Sequence, residues 1–78
     1  MTPAEQAIAA QALIDQLTPL VAGVPQEVVL DALLAMFHAT AIHHPGCLER
    51  AVSDATFVAI TLSNRLFLQQ APHGASIH

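Results

Sequence analysis

The sequence predicts an all-α protein, with three helices forming an antiparallel bundle or helical hairpin, assembled as a homodimer. Three observations lead there. Every long segment repeats its apolar residues near 3.6 positions, and none alternates over the length of a strand. Two short Pro- and Gly-containing stretches divide the chain into three helical segments. The composition is also too apolar for so small a monomer. Of the 78 residues 54% are hydrophobic and 10% are charged, and mean hydropathy is +0.54. Soluble chains usually carry about 25% charged residues, and a chain this short buries only about 60–65% of its surface when it folds alone. Some apolar surface is therefore expected to meet a partner.

The first helix opens at Thr2-Pro3-Ala4-Glu5. Thr2 can cap the helix, Pro3 suits its first position, and Glu5 completes a capping box. Ala10, Leu13, Ile14 and Leu17 then recur on one face, while Gln6, Gln11, Asp15 and Gln16 occupy much of the rest. Pro19 conflicts with a continuous helix, because its ring meets the carbonyl of Asp15. The helix is expected to kink or end near Leu17, with Thr18-Pro19 starting a short extra turn, so its span reads as 3–17 or 3–22. In Ala22-Gly23-Val24-Pro25, Gly23 suits a left-handed position after the helix and Pro25 opens the next one.

The second helix, 25–43, is the segment around which the chain is organised. Wound at about 100° per residue, it places Glu27, Asp31 and His38 in one stripe, with Leu34 among them. Val28, Val29, Leu30, Leu33, Met36, Phe37, Ile42 and alanines fill the remaining circumference. A helix of that kind needs cover on most sides, so Leu33, Met36 and Phe37 are expected to be buried. Glu27 lies in the first turn, where the helix dipole favours a carboxylate. The connection to the first helix is short, so the two should be antiparallel neighbours.

His43-His44-Pro45-Gly46-Cys47 forms the second break, since Pro45 turns His44 away from helix and Gly46 permits a sharp bend. The third helix follows over 47–70. Leu48, Ala51, Val52, Ala55, Ala59, Leu62 and Leu66 form its main face, expected against the second helix. Phe57, Ile60, Phe67 and Leu68 project on the opposite side, and Arg50, Asp54, Thr61 and Arg65 lie in a polar stripe between the two. One buried face is ordinary, whereas two opposed faces need two neighbours. Residues 1–70 are read as a single helical domain, and residues 71–78, which show no periodicity, as a flexible tail.

Charge and cysteine usage exclude several function classes. Net charge is −4 with only two cations, Arg50 and Arg65. Neutralising phosphates requires a basic patch, which two arginines do not make, so nucleic acid is not an expected partner. An anionic membrane surface is disfavoured for the same reason. The one cysteine, Cys47, can form no internal disulfide and belongs to no CxxC or zinc pattern, which fits a reducing cytoplasm. MTPAEQAIAAQ has no basic n-region and reads as no secretory signal. The apolar stretches at 28–42 and 55–68 contain charged or polar residues and fall short of the ~20 residues of a membrane span.

Candidate chemistry concentrates at the second break. Cys47 with His43 and His44 contains the groups of a nucleophilic or redox thiol, and with His38 the ligand atoms of a metal site. The catalytic reading lacks an orienting third group and a substrate pocket. The metal reading lacks suitable spacing, because His38 and His43 stand about 140° apart around a helix. An inter-helix turn with a small apolar thiol explains these residues more simply. Glu27, Asp31 and His38 share a face but lack the Glu-x-x-His signature of carboxylate bundles. No phosphate loop, nucleophile elbow or HExxH is present.

The expected function is therefore not enzymatic and needs no cofactor. It is that of a small protein-interaction module, an adaptor, accessory subunit, regulator or chaperone of another protein, acting in the cytoplasm as a homodimer. The expected partner-binding residues are Phe57, Ile60, Asn64, Phe67 and Leu68. Phe57, Ile60, Asn64 and Phe67 follow the i, i+3, i+7, i+10 seam of paired helices, and Asn64 within it can fix register. The first alternative is a metal-binding or thiol-reactive protein centred on His43, His44 and Cys47. The second is a helical protein lying on a membrane surface.

Overall fold

A computed structural model of the chain describes residues 1–70. The expected tail, 71–78, lies outside the described residues. Three α-helices follow one another, α1 (Pro3–Val21), α2 (Gln26–His43) and α3 (Leu48–Gln70), with a single 3-10 turn, η1 (Pro45–Cys47), before α3. No strand occurs among the described residues. The chain divides into two units, Met1–Phe37 and His38–His78, with the boundary inside α2.

The start of α1 forms as its sequence dictates. The Thr2 hydroxyl accepts from the Glu5 backbone N–H at 3.1 Å, and the Thr2 N–H donates to Glu5 Oε1 at 2.8 Å. The Thr2 carbonyl accepts the first helical bond from Gln6 at 2.9 Å. Pro3 follows at the first helical position, where a missing N–H costs nothing. The Thr2 backbone N–H first, and the Thr2 side chain second, hold the Glu5 carboxyl below its ordinary value, because a hydrogen bond donated to a carboxylate favours its charged form.

At its other end α1 follows closely the longer of the two expected spans, 3–22. It continues through Pro19 to Val21. Pro19 cannot donate to the carbonyl of Asp15, but only two residues of the helix lie beyond it. The missing donor lies in the last turn, while the carbonyl it leaves without a helical partner, that of Asp15, lies one turn further in. One turn back, the Thr18 hydroxyl donates to the Ile14 carbonyl at 2.8 Å, and Gln11 Nε2 donates to Asp15 Oδ1 at 3.0 Å.

A type II turn follows. Ala22 has φ −62° and ψ 129°, Gly23 has φ +81°, and the Val24 N–H donates to the Val21 carbonyl at 3.1 Å. The third position of such a turn needs positive φ, which glycine reaches without steric cost. Pro25 stands one position earlier than its expected place. It precedes α2 and caps it, its carbonyl accepting from Val29 at 3.1 Å. At the second break, His44 is extended (φ −131°, ψ 79°), as expected before a proline. The Cys47 N–H donates to the His44 carbonyl at 2.8 Å to close η1.

Burial departs from expectation. Among the described residues none is buried. Leu33, expected in the core, is 46% exposed, and Met36 and Phe37 are exposed as well. The least exposed side chains flank the breaks, with Leu17, Val21 and Val29 about the first and Ala41, Ala51 and Asp54 about the second. The physical reason is that a helix forms from bonds four residues apart, whereas enclosing a side chain needs neighbours from distant sequence. Among the described residues, partial shielding reaches only positions near the two breaks.

Candidate functional site: the outer stripe of α3

Three of the four large apolar residues on this side of α3 recur at helical spacing. Taking about 100° per residue, Phe57, Ile60, Phe67 and Leu68 fall with Asn64 inside an arc of about 100°. The helix that carries them is uninterrupted from Leu48 to Gln70 and has Glu49 in its first turn, where a carboxylate is favoured by the dipole. Phe57 is 70% exposed, Ile60 57%, Phe67 71% and Leu68 69%. Asn64 is also exposed, and its side-chain amide makes no hydrogen bond among the described residues.

Two threonines edge this stripe. Thr56 lies about 100° to one side of Phe57 and Thr61 about 40° to the other at the helical rotation. The Thr56 hydroxyl donates to the Val52 carbonyl at 2.7 Å and the Thr61 hydroxyl to the Phe57 carbonyl at 2.9 Å. Such bonds to the carbonyl one turn back are the usual way a helix satisfies threonine. Thr61, expected in the polar stripe, is exposed there with its hydroxyl bonded within the helix.

The remaining charges on α3 are locally arranged. Arg50 Nε meets Asp54 Oδ2 at 3.0 Å, one turn apart, and both side chains are substantially exposed. Pairs of this kind stabilise a helix by about 0.3–0.5 kcal/mol, and the order with the cation first is the weaker one. Screening by solvent and salt keeps the pair from organising a site. The opposite face of α3 is as open as the outer stripe, with Leu48, Val52, Leu62 and Leu66 all exposed.

The alternative centre at the second break is not assembled into a ligand set. His43 ends α2, His44 precedes η1, and Cys47 closes it. The His44 side chain makes no capping hydrogen bond, and Cys47 is a free, exposed thiol. Among the described residues no group of three His, Cys, Asp or Glu side chains is placed to hold a metal ion. Glu27, Asp31 and His38 on α2 are exposed, as is Leu34 beside them. No helix among the described residues is long and apolar enough to cross a membrane.

No family model matches the chain, and neither a curated protein nor a solved structure shows detectable similarity to it.

Proposed function

We propose that this chain is a small helical protein-interaction module that acts in the cytoplasm as a homodimer and serves another protein as adaptor, accessory subunit, regulator or chaperone. It works by binding rather than by catalysis. One observation carries the reading: Phe57, Ile60, Phe67 and Leu68 share a stripe of α3 and are all more than half exposed. The stripe is preferred to the opposite face because it holds two of the three phenylalanines of the chain. Aromatic anchors of this kind dominate interface energetics, and an exposed cluster of them marks an interaction surface. A second copy related by a twofold axis presents the same stripe in return. Within paired α3 helices, Asn64 is the polar position that selects register.

Magnitudes define the strength of such a contact. Full burial of a large apolar side chain gains about 1.5–3 kcal/mol. Scaled by the observed exposures, the four side chains contribute about 4–8 kcal/mol per chain, and two chains about twice that. Association costs about 4–15 kcal/mol. The two terms are comparable, so the stripe alone supports a concentration-dependent dimer rather than a permanent one. Cytoplasmic location is supported by the single cysteine. Two arginines and a net charge of −4 speak against nucleic acid as the partner.

The test is solution mass as a function of concentration, by light scattering on untagged protein. A rise from the monomer mass towards twice that value supports the reading. A constant monomer mass at high micromolar concentration refutes the homodimer. Capture from the native host, with a variant altered in the α3 stripe as control, then asks whether the same surface binds another protein.

A further inference from the structure

We draw no further inference here: the strongest candidate, the apolar outer stripe of α3 at Phe57, Ile60, Phe67 and Leu68, belongs to the site already described, and nothing in the structure shows what else covers it.

Discussion

Replacing Phe57 and Phe67 by glutamate is the sharpest perturbation of the proposed interface. The two rings are 70% and 71% exposed in the chain, so burial in a dimer gains about 1–2 kcal/mol for each. Four rings are lost from a twofold contact, which removes about 4–8 kcal/mol before any charge effect. Each chain also passes from a net charge of −4 to about −6, and the new carboxylates face one another across the contact, adding repulsion. At about 1.4 kcal/mol per decade, the dissociation constant rises by at least about a thousandfold. Light scattering should find a monomer at concentrations where the parent chain dimerises, and circular dichroism should find the helices retained. The paired control is Val52→Glu with Leu66→Glu on the opposite face, which adds the same charge and should leave the mass unchanged. If helicity collapses in the Phe57/Phe67 variant, these rings belong to the chain's own core and the interface reading is wrong. If the dimer persists, the interface lies elsewhere, with α2 the next face to test.

Five further outcomes are expected. Leu33→Ala, measured by urea denaturation, should cost less than the ~2–5 kcal/mol of a fully enclosed leucine, because Leu33 is 46% exposed; a loss in that range would place it in a core. Thr2→Ala should weaken the start of α1 by about 0.5–2 kcal/mol, seen as faster amide exchange in the first turn. The Glu5 carboxyl is held below its ordinary value by its bonds to Thr2, so its contribution is complete above the unfolded-state value and is lost as pH falls through the lower folded-state one; Glu5→Gln should abolish that acid-side loss, and an unchanged acid profile would contradict the assignment. Cys47→Ser and His44→Ala should leave helicity and mass unaltered, and stoichiometric zinc in the purified protein would instead bring the metal reading forward. Gly23→Ala should destabilise by about 1–2 kcal/mol because its φ is +81°, even though the added methyl would meet no atom; Gly46→Ala, also with open space, should be neutral or slightly stabilising, and equal thermal shifts for the two would show that the turn is not as described.

The local architecture was legible in the sequence because its causes are local. Thr2, Pro3 and Glu5 act on one another within a single turn, so a capping box read from three residues forms as expected. Gly23 and Pro45 act through backbone conformations that few other residues adopt or that proline imposes. Those features determined three helices and the positions of both breaks. Pro19 leaves two spans open from sequence, because proline removes one donor and crowds the carbonyl four residues back, and α1 follows close to the longer of them, to Val21. The hydroxyl partner of Thr61, the Phe57 carbonyl, follows from the helix itself, one turn back.

Burial is of a different kind. The apolar circumference of α2 states that cover is needed, but the neighbours that supply cover come from distant sequence or from other chains. Periodicity alone could therefore assign Leu33, Met36 and Phe37 to a core, while the structure leaves all three exposed. For α3 the sequence by itself determined that two opposed apolar faces exist, because their spacing follows from helical rotation. Only the tertiary structure decided that Phe57, Ile60, Phe67 and Leu68 stand open, since exposure depends on which atoms of the folded chain approach them and no repeat along the helix encodes that.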